Sequence, residues 1–303
     1  MTELIQKFIS FFLIVISVFT SSGLIKWADS MEGHDFEITE ATEKDADALR
    51  IMSFNVRVTD NNGVPSIARR SLVIKEIQKL APDSFGLQEA SPDWMLAVKS
   101  ALPEYGCVGV ARDNGLETLG IGEASPVFYL LEKLELVDHG DFWLSETPQK
   151  PSYGPGAGSR RVCTWAKLRE RGSGRIYVHV NTHLDNVSED ARVFGAKLIV
   201  DFIRENFADL PVVFTADMNT GERGEAYHTM TALLADARYT ASDSAGRGTF
   251  HECEPEAHPD LKLDYILCSG NVEVDTFRVV TDGIDGRFVS DHFPLYADVK
   301  FAE

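Results

Sequence analysis

The chain has 303 residues, 44% hydrophobic and 25% charged, and carries a formal charge of −18. These proportions exclude a fibrous or wholly disordered polymer and leave a globular body able to bury a large core. So acidic a surface repels polyanions at long range, which disfavours sequence-independent gripping of long duplex DNA, although part of the acidity can serve as metal ligands.

Residues 8–19 (FISFFLIVISVF) form an almost unbroken apolar run behind Lys7 and ahead of Thr20, Ser21, Ser22 and Gly23. This is the pattern of an export segment. Residues 1–25 are read as a signal peptide or membrane anchor; a spanning helix needs ~20 apolar residues, and this run reaches that length only by taking in polar neighbours. Either form places the remainder outside the cytoplasm, secreted or held at the membrane. Residues 26–48 are read as an acidic, disordered linker, because Glu32, Asp35, Glu37, Glu40, Glu43, Asp45 and Asp47 face only Lys44 between Ser30 and Ala48.

From residue 49 to 303 a single domain is expected, in which short β-branched runs alternate with helical stretches. Leu49 to Val56 suits a strand, and Pro65 opens a helix with Val73, Ile77 and Leu80 on one face. A strand at Ser84 to Gln88 and a helix at Pro92 to Leu102 follow. Next come strand-like runs at Tyr105 to Ala111, Pro126 to Leu131, Leu134 to Trp143, Arg161 to Leu168 and Arg175 to Thr182, with the glycine-rich Ser152 to Ser159 read as a mobile loop. Strands that arrive without intervening helices argue for antiparallel or mixed pairing. Ser188 caps a helix carrying Phe194, Leu198, Ile199, Phe202 and Ile203; Pro211 to Ala216 is a strand and Glu222 to Leu234 is helical. Lys262 to Cys268, Val272 to Val279 and Pro294 to Val299 close the chain as strands. Cys107, Cys163, Cys253 and Cys268 show no metal-finger spacing and read as small hydrophobes, with any disulfide pairing left open.

Polar residues recur at or just beyond the ends of these strands: Asn55, Glu89, His183, Asp185, Asp217, Asn219, Asp264, Asp291 and His292. Side chains so placed project from a rigid scaffold toward one rim. Singly, each has an ordinary structural role, such as a turn for Asn55 or a helix cap for Asp217. Asp264 stands apart, because a carboxylate between Leu263 and Tyr265 in a strand needs a partner, and the Asp291-His292 pair offers an imidazole. Carboxylates and an asparagine carbonyl are the oxygen ligands that Mg²⁺ or Mn²⁺ prefers, with Glu89 the first candidate.

The ordered set SFNV, LQEA, VNTHLD, TADMN, LDYIL and SDHFP resembles the endonuclease/exonuclease/phosphatase superfamily, the metal-dependent relatives of DNase I, across residues 49–301. The resemblance implies an α/β, four-layer α/β/β/α sandwich, with two mixed β-sheets face to face and helices on both outer sides. It implies hydrolysis of a phosphodiester or phosphomonoester with Mg²⁺ or Mn²⁺: a nucleic acid, nucleotide, inositol phosphate or phospholipid head group. Glu89 would bind the metal with Asn55 and Asp291 beside it. Asp217 would orient or deprotonate the attacking water, and Asn219 would position water and phosphate. His183 would donate to a non-bridging oxygen, while His292, supported by Asp264, would stabilise the transition state. Asn55 and Arg161, or its neighbour Arg160, are further candidates for contacting the substrate.

Two departures point away from the abasic-DNA branch: Ala90-Ser91 follows Glu89 where that branch usually has Thr-Lys, and His183 has no counterpart there. Residues 141–148, 160–168 and 180–186 look more like bacterial members related to deadenylase and sphingomyelinase-like enzymes. Trp143 and Trp165 are assigned to core packing rather than to stacking on a base or head group. The expected partners are a phosphate-ester substrate and, through residues 1–25, a membrane, for a protein acting as a monomer. The alternative is a surface-exposed binding module that kept the fold and lost catalysis.

Overall fold

Strand β1 (Leu49–Asn55) is buried along its whole length because both of its faces are covered. Leu49 and Ile51 pack between two sheets, while Met52 and Phe54 point to helices on the outside. This arrangement comes from a computed structural model that describes residues 30–59 and 65–301; the export segment read in residues 1–25 lies outside the described residues. Among the described residues, no helix is long and apolar enough to cross a membrane.

The first sheet also contains β2 (Ser84–Gln88), β3 (Tyr105–Val108), β4 (Val127–Leu130), β10 (Asp243–Ala245), β12 (Val272–Val279) and β13 (Leu295–Phe301), in the order β10-β12-β13-β1-β2-β4-β3. The second joins β5 (Leu134–Trp143), β6 (Val162–Glu170), β7 (Ile176–His183), β8 (Val212–Asp217), β11 (Asp264–Cys268) and β9 (Ala235–Asp236), in the order β5-β6-β7-β8-β11-β9. β1–β2, β7–β8 and β10–β12 pair parallel and the other partners antiparallel, so both sheets are mixed, as the sequence predicts.

Helices α1 (Ser66–Leu80) and α2 (Pro92–Ala101) cover the first sheet, burying Val73, Ile77, Leu80, Trp94 and Val98 against Met52, Phe54, Phe85 and Phe128. Helix α3 (Glu189–Phe207) covers the second with Ile199, Ile203 and Phe207, and the short α4 (Glu225–Thr231) adds Ala226 and Met230; α5 (Ala237–Thr240) is a single turn. The four-layer sandwich is therefore present. Ser188 caps α3 as predicted, its hydroxyl accepting from Ala191 N–H at 3.2 Å. The helix expected over residues 222–234 shrinks to α4 because Gly224 stands as its cap. None of the four cysteines is paired, and Cys163, Cys253 and Cys268 are buried.

Two expectations are corrected. Over residues 30–48 the acidic linker is a strap laid against the sandwich edge. Phe36 stacks on Phe288 (ring centroids 5.9 Å apart), Thr39 N–H donates to Thr281 Oγ1 at 2.7 Å and Thr42 N–H donates to the Tyr296 hydroxyl at 2.8 Å. The glycine-rich 152–159 loop is likewise tied down, since Gly158 and Ser159 N–H both donate to Asp185 Oδ2.

One buried side chain joins fold to rim. Arg69 on α1 is fully buried and donates to the carbonyls of Val56, Arg57, Thr59 and Val289 at 2.7–3.0 Å, clamping the exit of β1 to the segment before Asp291. Arg69→Met leaves those carbonyls unpaired in a buried setting, at about 1 kcal/mol or more each. Urea unfolding is expected to show a loss of about 3 kcal/mol or more.

Candidate active site

Strand register decides which polar residues meet. β1 and β2 run parallel with Asn55 beside Gln88, so Glu89 emerges next to Asn55. In the second sheet His183 lies opposite Asp217, and Asp217 opposite Asp264. The facing sheets bring these ends together. Asn55 Nδ2 donates to Glu89 Oε1 at 3.1 Å in its own sheet and to Asp217 Oδ2 at 2.8 Å in the other. Glu89 (φ 60°), Asn219 (φ 49°) and Arg57 (φ 57°) all occupy the left-handed region, a backbone conformation that costs free energy and clusters at functional sites.

Asp217 Oδ1 accepts from Asn219 N–H at 2.9 Å, and Asn219 Nδ2 donates to His183 Nε2 at 2.8 Å and to the Leu184 carbonyl at 3.1 Å. His292 Nδ1 donates to Asp264 Oδ2 at 2.8 Å, which gives Asp264 the partner its burial requires. Its Nε2 stands 3.8 Å from Asp217 Oδ2, and the edge of Phe250 packs on the ring.

These contacts set the charges. Burial opposes charging His292, but the Asp264 carboxylate, with Asp217 and Asp291 beyond it, overrides this and lifts its pKa to about 10. Burial, helped by the neighbouring negative charge of Asp264, pushes Asp217 up to about 7. His183 moves the other way: burial, then the positive charges of Arg161, Arg112 and His292, hold it well below the ordinary value and therefore neutral. With Nε2 accepting from Asn219, its proton sits on Nδ1, which has no hydrogen-bond partner among the described residues. Its 3.4 Å approach to Asp217 is thus a neutral contact rather than an ion pair.

Asp217, Asp264 and His292 place ligand-type atoms within 4.8 Å of one another. An imidazolium whose Nδ1 proton is given to Asp264 is a poor metal ligand, so this group is better described as a charged relay. The oxygen donors lie beside it: Glu89 Oε2 accepts from Val58 N–H at 2.7 Å, and Asp291 Oδ2 from Arg57 Nη1 at 2.6 Å. An all-oxygen set suits a hard divalent cation such as Mg²⁺ or Mn²⁺. Asn55 bridges the two sheets: its oxygen accepts from Arg57 N–H at 3.0 Å and its nitrogen donates to both carboxylates, which positions Glu89 and Asp217.

Residues 52–292 match the profile of the Endonuclease/Exonuclease/phosphatase family. The chain belongs to that family. The crystal structure of a family member from Bacteroides vulgatus is 32% identical, with a TM-score of 0.77 over 84% of this chain and 99% of its own. A mannosyl-6-phosphatase from Bacteroides thetaiotaomicron is 30% identical, with a TM-score of 0.77 over 84% of this chain and 100% of its own. The human Nocturnin catalytic domain, 19% identical with a TM-score of 0.67 over 90% of this chain and 99% of its own, shares the fold. No curated protein matches the chain. Membership of the endonuclease/exonuclease/phosphatase family makes the protein a phosphoric ester hydrolase.

Apart from Arg160, the candidate residues of this family member reach one rim, Asp291 through Arg57 and Arg161 through a narrow pocket shared with Glu89, Arg112, Glu123 and His183. Arg160 instead covers Tyr153 and pairs with Asp113. Trp143 is buried with its Nε1–H on the Arg112 carbonyl, and Trp165 packs on Phe202 and Phe207, as assigned from sequence. Arg57, Arg112 and Glu123 were not singled out from sequence, because none sits in a recurring motif and their partners lie across the fold or across a loop. Asp185, singled out beside His183, holds the 158–159 and 187–188 turns.

With a folded-state pKa above the ordinary 6.5, His292 contributes stability that is fully present below that value and lost as pH rises through about 10. For metal-free protein, the stability lost between pH 7 and 10 in urea unfolding is expected to be smaller in His292→Gln than in the wild type. By NMR the His292 ring should stay protonated through pH 8, and Asp264→Asn should lower its pKa. A ring that titrates near the ordinary value in wild type would contradict the pairing.

Proposed function

We propose that the protein hydrolyses a phosphodiester or phosphomonoester with Mg²⁺ or Mn²⁺ by in-line attack of water. The observation that carries this is the bridge from Glu89 through Asn55 to Asp217, with cationic His292 and neutral His183 on either side. Asp217, raised to about 7 and fixed by two hydrogen bonds, is suited to take a proton from water near neutral pH. Asn219 holds the approach to Asp217 and His183. The free Nδ1–H of His183 donates to a non-bridging oxygen of the ester, and the imidazolium of His292 offsets the negative charge that builds on the phosphoryl group. Glu89 and Asp291 would hold the divalent cation, which would supply Lewis acidity toward the phosphoryl oxygen.

The surface charge and the sequence at residues 8–19 support an exported enzyme acting on a small or extracellular ester rather than on long duplex DNA. The 30% identical mannosyl-6-phosphatase supports the same preference. Purified protein is expected to cleave p-nitrophenyl phosphate or its bis-ester only after Mg²⁺ or Mn²⁺ is added, and EDTA should abolish turnover. Glu89→Gln should weaken metal binding in calorimetry, and Asp217→Asn and His292→Gln should each lower kcat/KM by about 10²- to 10⁴-fold. Metal-independent turnover, or activity kept in both Glu89→Gln and His292→Gln, refutes the mechanism.

A further inference from the structure

Arg161, just before β6, is a buried cation, 6% exposed, yet among the described residues its Nε and Nη1 have no hydrogen-bond partner. Among the described residues only Nη2 is engaged, on Asn186 Oδ1 at 3.0 Å. The nearest carboxylate, Asp185, stands 3.6 Å from Nε, and its two oxygens already accept four backbone N–H groups, from Gly158, Ser159, Val187 and Ser188. It supplies charge without filling the Arg161 donors. Leaving donors of a buried guanidinium unfilled is costly, more so than for a neutral group.

The pocket that Arg161 lines also takes in Glu89, Arg112, Glu123 and His183. Arg112 is held by a two-point pair with Glu123, at 2.7 and 2.8 Å, which fixes its guanidinium plane. His183 contributes its unpartnered Nδ1 to the same space. With Glu89 given over to a cation, Glu123 balances Arg112, and Arg161 remains with its free donors. Nε–H and Nη1–H leave the guanidinium from different edges, so the fork that fits two oxygens of one phosphoryl group is the end-on one, made by the free Nη1 and the second N–H of Nη2 beside it.

We propose that Arg161, backed by Arg112, binds the terminal oxygens of a phosphomonoester dianion and so makes the protein a phosphomonoesterase in preference to a phosphodiesterase. This rests on the hydrolase reading above and narrows it. A monoester offers three non-bridging oxygens and a second negative charge, so one oxygen can meet the cation and two remain for His183 and Arg161. In a diester one of those positions carries a carbon substituent, which can accept less and would press into the pocket.

The test compares p-nitrophenyl phosphate with bis(p-nitrophenyl) phosphate under saturating Mg²⁺, and separately measures how inorganic phosphate shifts the thermal unfolding midpoint of EDTA-treated protein. Wild type is expected to favour the monoester and to be stabilised by phosphate. Arg161→Met should lose about 100-fold in kcat/KM on the monoester and far less on the diester, and should lose the phosphate shift. Arg161→Lys keeps the charge without the fork; a fall of about tenfold in the monoester-to-diester ratio supports the proposal even if the Met variant does not fold. A wild-type preference for the diester, an unchanged ratio in Arg161→Lys, or a phosphate shift that survives in Arg161→Met overturns it. Should wild type cleave neither ester, the hydrolase reading falls, and the phosphate shift alone decides the pocket.

Discussion

Two sheets can bury their facing sides only if every polar group caught between them finds a partner, and here those partners form a seam. Ser84 meets His179, His179 meets Thr215 at 2.9 Å, Thr215 donates to Asn181 at 3.0 Å, and Gln88 donates to Asn181 at 2.8 Å and to Ser53 at 3.1 Å. Burial lowers the pKa of His179 to about 3, so the ring stays neutral and can donate on one side and accept on the other. The sheets are so close that a Cβ at Gly86 would fall 2.4 Å from the side chains of Asn181 and Thr215. Such a seam permits one register. The bond from Asn55 to Asp217 is its next rung, at the point where packing gives way to chemistry.

A chain this acidic still gathers cationic side chains at the mouth of the site. Arg57 neutralises Asp291, His292 neutralises Asp264, and Arg112 and Arg161 lie on the side of Glu89 and His183. The carboxylates are thereby assigned different states. Asp264 is committed to an imidazolium, Asp217 is left close to neutrality by burial and by Asp264, and Glu89 keeps some exposure toward the rim. One fold thus holds a carboxyl that titrates near neutral pH, an imidazolium and a partly exposed carboxylate within a few bonds of one another.

Much of this was legible in the residues, for physical reasons that also mark where legibility stops. Strand ends are readable because period-two burial terminates abruptly in polar residues, as in SFNV and TADMN. Asp264 announced its need for a partner because it stands in an apolar strand. Neither the orientation of Asn55 nor the Arg57–Asp291 pair could be read, since both depend on which atom of an amide or guanidinium faces a residue more than 30 positions away. The strap was misjudged because composition counts its seven acids, whereas its placement depends on Phe36 and on backbone hydrogen bonds. The 152–159 loop was misjudged likewise: its glycines favour freedom, but Asp185 accepts two of its amides.

The strap also redraws the boundary of the folding unit. A chain begun at Leu49 would retain every strand but strip the cover from Phe288 and Phe293, and leave the Tyr296 hydroxyl and the Thr281 N–H without their partners. That surface adjoins His251, whose ring stacks on Phe293 at 4.0 Å and whose backbone N–H donates to the Asp291 carbonyl. Trimming these nineteen residues would therefore be felt beside Asp291.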